Sequence, residues 1–470
     1  MEIKCEQFQK LSKMGLKDEH LQEALERAGA RFKELRNTAF FALDNPEEIR
    51  DQAHKIKART IDRIDEYLEH LEDKVVQLGG KVHWARDASE ARKLIEDLAM
   101  DRSVKRVVKG KSMVTEEISL NEGLMARGIE VTETDLGEFI IQLAEEAPSH
   151  IVGPAIHKRK EDVSALFSEK FGVEWMDDPE ELTMFARRTL RQRFIEADMG
   201  ITGANFAVAE TGSIVLFENE GNIRLTTTLP KIHVAVMSME KVIPTLEDLD
   251  IFIKLLPRSA AGQKLSCYMS MITGAKKDGE RDGAEEFHLV ILDNGRSRIL
   301  ADDELKEALY CIRCGACANF CPVYLKIGGH AFGWVYSGPI GSILTPQIIE
   351  RKRAAELPYA STLCGACAKV CPVKINIPRI LVALRQRYEE DPGWEKPLSF
   401  LQKGVPALYA ATMRNKFLYE TGSCMARLMQ IPFIRKGRLK NLPPPLNRWS
   451  RYHDLKPLEK KTFRQRWKDL

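Results

Sequence analysis

Several features that would name a chemistry outright are missing from this chain. It has no uninterrupted apolar run of membrane-spanning length; the best C-terminal stretch is broken by Lys403, Pro406, Arg414 and Lys416, which argues against an integral membrane protein. The opening MEIKCEQFQKLSKMG is charged from its second residue and lacks an apolar h-region, so the expected compartment is the cytoplasm. No G-x-G-x-x-G follows a strand, which leaves a nicotinamide or flavin Rossmann site unsupported. KGKS at 109–112 has the end of a phosphate-binding loop, but the glycine that loop needs at 105 is Lys105. Neither G-x-S-x-G nor H-E-x-x-H occurs, so the usual serine-hydrolase and zinc-protease signatures are absent too.

What is present is cysteine in one place. Seven of the ten cysteines fall between 311 and 371, and a reducing compartment makes metal ligation a better reading than disulfides. Length allows two to four domains, and 44% hydrophobic with 30% charged residues fits a globular protein with a sizeable core. The net charge of +3 hides an asymmetry: residues 435–470 carry twelve Lys or Arg against Asp454, Glu459 and Asp469, so this tail is +9 and the rest −6. Trp449, Tyr452, Phe463 and Trp467 interleave with those charges. Nucleic acid, acidic lipid and protein partners all suit such a tail. With no nucleic-acid-binding motif beside it, packing on protein is the favoured expectation.

Four segments emerge along the chain. Residues 1–70 read as helical: DEHLQEALERAGARFKELR sets Leu21, Leu25, Ala28 and Phe32 near helical spacing, and Asn-Pro-Glu-Glu at 45–48 opens a second run that stops before Gly79-Gly80. Residues 71–300 alternate strand and helix patterns. KVHWA, VKRVVKG, IEVTET, HIVGPAI, GITGANFAVAETGSIVLF, KIHVAVMS and EFHLVILDNG are the strand candidates; DASEARKLIEDLAM and TEEISLNEGLMARG are helical. Such alternation predicts an α/β domain with a largely parallel sheet, and Glu210-Thr211-Gly212 a turn between two strands. Residues 301–395 hold the cysteine motifs. Residues 396–470 form an irregular helical region, broken by the three prolines of NLPPPLNRW before the basic tail.

Cys311, Cys314, Cys317 and Cys321-Pro322 follow C-x2-C-x2-C-x3-C-P, the bacterial ferredoxin run in which the fourth cysteine ligates the other cluster. A short loop can fold around a compact cluster while its thiolates converge on different irons. The crossing rule assigns Cys311, Cys314, Cys317 and Cys371 to cluster 1, a [4Fe-4S] centre, and Cys321, Cys364 and Cys367 to cluster 2. Three residues before Cys364, where an eighth cysteine would stand, is Ser361. Cluster 2 is then either [3Fe-4S] or a [4Fe-4S] centre with a non-cysteine fourth ligand: Ser361, Cys424, water or a substrate oxygen. The four-iron form is favoured. Zinc is the main competing metal, since C-x2-C pairs also make zinc knuckles, but zinc does not call for the doubled near-copy. Cys5, Cys267 and Cys424 are isolated and expected to be inert small hydrophobes. GGHAFGWVYSGPIG (328–341) reads as a flexible segment, and its His330 as a surface residue.

The chain as a whole resembles the lactate utilization protein B family, iron–sulfur proteins of bacterial L-lactate oxidation. The resemblance rests on KSMVTEEISLNEGL (111–124), ETDLGEFIIQL (133–143), PSHIVGPAIHK (148–158), GITGANFAVAETGSIVLFENEGN (200–222), EEFHLVILDNGRS (285–297), both cysteine motifs and the 328–341 segment. It implies a LUD-type α/β domain, similar to sugar-phosphate isomerases and CoA-transferases, from about residue 70 to 300. It also implies two partners, a cysteine-rich iron–sulfur protein and a second LUD-domain protein, acting together on L-lactate to give pyruvate. A three-cysteine second motif is part of the family pattern. Within the LUD-like domain, Lys109, Lys111, Ser112, Asn205, Glu210, Thr211 and Asn222 are candidates to receive a small anionic substrate, Lys109 and Lys111 because they follow a strand; for each, loop solvation or strand-end hydrogen bonding is the alternative.

Two function classes therefore stand side by side. In the first, the chain is the electron-transfer subunit of an L-lactate-oxidising oxidoreductase passing electrons to an acceptor that the sequence does not identify. In the second, the LUD-like domain turns over an acyl or sugar-phosphate substrate and the clusters are structural; an iron–sulfur redox sensor is a third. The resemblance favours the first, and no residue is assigned as catalytic.

Overall fold

Two compact units divide the chain at Met1–Glu390 and Asp391–Leu470; the computed structural model describes residues 2–390, 400–444, 446–450 and 455–467. The N-terminal helices begin where local chemistry starts them. Asp18 accepts the N–H of Leu21 to cap Glu19–Phe41, and Pro46 sits at the first turn of Pro46–Asp62. The run from 45 to 78 is two helices rather than one, because the backbone leaves the helical region at Arg63 before Ile64–Gln77 resumes. Thr60 bonds back to the Ile56 carbonyl just ahead of the break, a habit that bends helices.

Ten strands follow in the first unit: β1 (Lys81–Ala85), β2 (Arg106–Lys109), β3 (Glu130–Glu133), β4 (Met199–Thr202), β5 (Phe206–Val208), β6 (Ser213–Glu218), β7 (Ile232–Ser238), β8 (Val242–Ile243), β9 (Tyr268–Ile272) and β10 (Glu286–Leu292). Six of them form a sheet in the order β1-β10-β7-β4-β2-β3, every pair parallel. All seven residues of β7 and six of seven in β10 are buried, as a parallel sheet covered on both faces requires. The other four make a smaller sheet, β8-β5-β6-β9, in which β5 and β6 are antiparallel and joined by the expected turn through Glu210-Thr211-Gly212.

The strand order places a crevice. From β2 the chain moves outward to β3, whereas from β4 it moves the other way through β7 to β10. Between β2 and β4 the winding reverses, and ligands in open α/β sheets bind outside the carboxyl ends of the strands at such a point. Close approach there needs glycine. A Cβ on Gly203, just past β4, would come within 2.6 Å of the Ser112 hydroxyl after β2; one on Gly200 would lie 1.9 Å from the Thr226 carbonyl oxygen.

HIVGPAI, read as a strand, is instead a series of turns. His150 Nδ1 accepts the N–H groups of Val152 and Gly153, and Ser149 N–H bonds to the Pro154 carbonyl. These local bonds consume the groups that a sheet ladder would use. The segment packs against the cysteine-rich part instead: Tyr324 donates to the Ser149 carbonyl at 2.8 Å and His150 Nε2 pairs with Asn319 at 2.9 Å.

The 328–341 segment is likewise not loose. All its residues from Ala331 to Gly341 are buried. Its glycines allow this: a Cβ on Gly329 would meet the Ser149 carbonyl at 1.7 Å, and one on Gly341 the Tyr336 carbonyl at 1.9 Å. His330 is the exposed exception, bonded to the Ala147 carbonyl. One hydrophobic core runs through Leu25 and Ile61 of the N-terminal helices, Phe206 and Leu289 of the α/β part, and Phe332 and Leu381 of the cysteine-rich part.

In the second unit, Phe400–Arg414 and Lys416–Gln430 are helices, the latter capped by Asn415 accepting from Phe417 and Leu418. A two-stranded ribbon, Ile434–Arg435 with Arg438–Leu439, follows. The basic tail folds back on this unit: Arg427 donates to the Lys460 carbonyl, and Gln430 exchanges bonds with Leu458. Phe463 and Trp467 are largely exposed; Tyr452 lies outside the described residues. Among those residues no helix is long and apolar enough to cross a membrane.

Candidate functional site

The two cysteine loops are built alike. Arg313 (φ 59°) and Gly315 (φ 74°) are left-handed in the first, and Leu363 (φ 54°) and Gly365 (φ 81°) in the second. Two left-handed turns in three residues curl each loop so that its side chains converge on one side. In the first loop the Cys311 sulfur accepts the N–H of Arg313 at 3.3 Å. In the second, the Ser361 hydroxyl oxygen accepts the N–H of Leu363 at 3.1 Å. Ser361 therefore occupies the place that Cys311 has in its own loop.

Cys311, Cys314, Cys317 and Cys371 ring one small cavity, closed by Ile312, Ile340, Val373, Ile375 and Ile377. Burial, then the neighbouring Cys311, pushes the Cys314 thiol up to about 12; burial and then Cys314 do the same for Cys371. Left empty, such a pocket would hold neutral thiols. A cluster needs thiolates and brings positive irons to keep them ionised, so the donor set fits soft-metal chemistry. The Cys371 sulfur also accepts the N–H of Ile375 at 3.4 Å, a bond of the kind that tunes cluster potential. A ring of four thiols around a small cavity suits a polynuclear cluster.

The remaining three thiols form a second group. Burial and then Cys321 raise Cys367 to about 11, and Cys364 acts on both Cys321 and Cys367. Cys364 is exposed, and the N–H of Ala366 holds its thiol below the usual range. Of the isolated cysteines, Cys5 is buried and pushed up to about 12 by burial, as an inert hydrophobe would be. Cys267 and Cys424 are exposed, contrary to that expectation, and Cys424 belongs to the second unit.

A cavity of about 330 Å³ opens at the sheet's reversal point. Lys111 and Ser112 after β2, Asp135 after β3, Gly203 and Asn205 after β4 and Lys241 after β7 all line it, with Asn222, Glu218 and Glu220. So do Arg313 and Tyr336, from the cysteine-rich part. Arg313 lines the thiol-ringed cavity as well, and is thus a wall common to both.

Of the seven polar residues expected to take a small anion, four are in this pocket and three are not. Lys109 is fully buried behind it, paired with Glu133 at 2.7 Å and Glu116 at 3.0 Å. Burial opposes its charge, yet those carboxylates hold it above the ordinary lysine range. Lys109 is the last residue of β2 and is held beneath the strand end by those carboxylates, whereas Lys111 lies beyond the strand, where its alternation no longer applies, and lines the crevice. Glu210 and Thr211 sit in the β5–β6 turn, where Glu210 caps the helix Leu246–Ala260 by accepting from Leu246 N–H and Thr211 bonds to Ser213.

Sequence reading missed the groups that join the two parts. Arg296, wholly buried, binds Glu117 through both terminal nitrogens and lies 2.8 Å from Glu240. Glu240 in turn pairs with Arg313 at 2.8 Å, and Arg313 stacks over the Tyr336 ring with 4.9 Å to its centroid. Burial works against the Glu240 carboxylate, but Arg296 and Arg313 hold it down at about 2. Burial, then Arg313, lowers Lys241 to about 7. Only Arg313, inside the cysteine motif, gave any sequence signal of its position.

Known proteins agree with this division. Residues 68–292 match the family model of the LUD domain, and 307–375 that of a 4Fe-4S dicluster domain. A protein of Shouchella clausii (strain KSM-K16) named Lactate utilization protein B is 45% identical over 462 residues, covering 98% of this chain and 96% of its own. Proteins of the same name from Bacillus licheniformis and Bacillus subtilis (strain 168) are 44% and 43% identical over 470 residues, all of this chain and 98% and 97% of theirs. A crystal structure of a DUF162 family protein from Deinococcus radiodurans aligns with 49% of this chain and 98% of its own at 13% identity, with a TM-score of 0.29, too low to bear on the fold. With a LUD α/β domain, a 4Fe-4S dicluster domain and identity above 40% along essentially its whole length, the chain belongs to the lactate utilization protein B family.

Proposed function

We propose that this chain is the iron–sulfur electron-transfer component of a cytoplasmic multi-protein system that oxidises L-lactate to pyruvate, allowing lactate to serve as a carbon source. Cluster 1, a [4Fe-4S] centre, is held by Cys311, Cys314, Cys317 and Cys371. Cluster 2 is held by Cys321, Cys364 and Cys367, with the Ser361 hydroxyl oxygen as the non-cysteine fourth ligand of a [4Fe-4S] centre. The bound clusters supply one-electron transfer; lactate yields two electrons and two protons, so two linked centres suit its oxidation. The partners are a cysteine-rich iron–sulfur protein and a second LUD-domain protein.

One observation carries this reading: a single arginine, Arg313, walls both the thiol-ringed cavity and the pocket at the sheet's reversal point. A buried centre beside a polar pocket, and a second thiol group reaching the surface at Cys364, give electrons an inner and an outer station. The protein's own residues hold that arrangement. Glu240 fixes Arg313, Arg296 fixes Glu240, and backbone N–H groups of Arg313 and Ile375 point at cluster-ligand sulfurs.

The test is anaerobic EPR of the chain with its two partners, before and after L-lactate. Reduction of both clusters during turnover is expected; clusters that stay oxidised while pyruvate forms would refute the relay. The pocket also favours a second reading, in which the α/β domain converts an acyl or sugar-phosphate substrate and the clusters are structural. That reading predicts turnover with no change in cluster oxidation state.

A further inference from the structure

The pocket holds a charge that the relay leaves unused. Lys241 stands in the short turn Met239–Lys241 directly after β7, is 9% exposed, and lines the cavity. Among the described residues its ammonium has no hydrogen-bond or ion-pair partner. Its neighbours are already committed: Lys57 to the Glu240 carbonyl, Arg296 to Glu117 and Glu240, Arg313 to Glu240. Four buried cations thus stand beside two carboxylates: the arginines take both, Lys57 takes a backbone carbonyl, and Lys241 is left without a hydrogen bond. A buried ammonium whose nearest carboxylate, Glu240, is already shared with two arginines is costly to keep charged, and an anionic ligand relieves that cost.

The far end of the pocket has the opposite character. Asp135 accepts from Glu138 N–H, Glu220 from Leu136 N–H, and Glu218 from Ile223 and Arg224 N–H. Asp135 follows β3 and Lys241 follows β7, three strand spacings apart across the sheet, or about 14 Å. A ligand with one anionic end is welcome at Lys241; a second anionic group, such as a phosphate at its other end, would meet Asp135, Glu218 and Glu220 against the one ammonium of Lys111, itself already bonded to the Val152 carbonyl. Ser112, Asn205 and Asn222 between them offer hydrogen bonds to hydroxyl or carbonyl oxygens.

We propose that this pocket binds a small 2-hydroxy or 2-oxo monocarboxylate, with its carboxylate on Lys241 and only Arg313 between it and the first thiol ring. The proposal rests on the lactate-oxidation reading and adds that the acid is bound by this chain itself, not only by a partner. One competing role for Lys241 is to balance the negative charge of a cluster held by four thiolates. That role would move the cluster's potential and leave ligand affinity alone.

The experiment uses the full-length, cluster-loaded protein without partners, titrated anaerobically by calorimetry with L-lactate, pyruvate and neutral lactamide. Lactate and pyruvate should bind and lactamide should not. Lys241→Met and Lys241→Gln should each weaken carboxylate binding on the order of tenfold to a hundredfold, while iron content stays constant and the ligand-free Tm is unchanged or higher. Carboxylate affinity equal to the parent in both variants, equal binding of lactamide, or a shifted cluster potential with unchanged affinity would each overturn it. So would loss of iron from both variants, which assigns Lys241 to the cluster. The two readings fail separately. Clusters reduced by lactate in the full system, beside an isolated chain that binds no carboxylate, sink the pocket alone. Lys241-dependent binding with clusters that never reduce sinks the relay alone.

Discussion

The two cysteine loops are near-copies in backbone and opposites in surroundings. Gly315 of the first is crowded: a Cβ there would meet Val152 at 3.2 Å, with His150 and Ile151 behind it. Gly365 of the second has nothing within 4 Å. Around the first loop close the 150–156 turns, the buried 328–341 segment and the Glu117–Arg296–Glu240 network; around the second lies solvent at Thr362, Leu363 and Cys364. One local sequence pattern makes two cysteine loops, and tertiary contacts turn one of them inward and the other outward. The inner loop is suited to a protected centre next to the pocket, the outer one to exchange with a partner protein.

The strongest way to break this contrast is to remove one ligand from each side. Cys371→Ala should abolish cluster 1 and lower Tm sharply, since metal binding at a buried site is also folding free energy. Cys364→Ala should remove the second cluster with a much smaller loss of Tm. Iron quantitation with thermal unfolding under argon decides it, and equal Tm losses would contradict an inner and an outer site.

Next in size is the serine. Ser361→Ala should convert the second centre to a three-iron form with its own EPR signature, and Ser361→Cys should give a four-iron centre with a shifted potential. If neither variant changes the spectrum, the serine is not a ligand.

The buried network around the inner loop makes a pH prediction. Glu240 is held at about 2, below the ordinary carboxyl value of 4.5. A depressed carboxyl contributes stability that is complete above the unfolded value and is lost as pH falls from about 4.5 toward 2, on the order of 3 kcal/mol here. Glu240→Gln should lower stability at neutral pH and flatten the loss across that acid window, read as the difference between variant and parent in urea unfolding.

The smallest effect sharpens the comparison most directly. Gly315→Ala and Gly365→Ala both force alanine into a left-handed backbone, a cost of roughly 1–2 kcal/mol each. Only Gly315→Ala adds a close contact with Val152, so it should be the more destabilising of the pair by chemical denaturation.

Much of this architecture could be read along the chain. Alternation of β-branched runs with helical patterns gave the parallel sheet, because strands buried on both faces need near-continuous apolar sequence. Cysteine spacing predicts a crosswise grouping of the thiols; Cys371 lines one cavity together with Cys311, Cys314 and Cys317. The errors came where local composition misleads. HIVGPAI has the apolar content of a strand, but His150 captures its N–H groups. Glycine-rich 328–341 suggested mobility, although its glycines serve close packing.

Sequence alone therefore determined the elements and the two loops, since each depends on residues close in the chain or on a fixed spacing. Tertiary structure decided what surrounds them: that Lys109 is sealed by Glu133 while Lys111 faces the pocket, that Arg313 is held by Glu240, and that Lys241 is left without a partner. Arg296 and Glu117 are 179 positions apart. Charge balance in a buried site is settled by such distant pairs, and no local pattern encodes them.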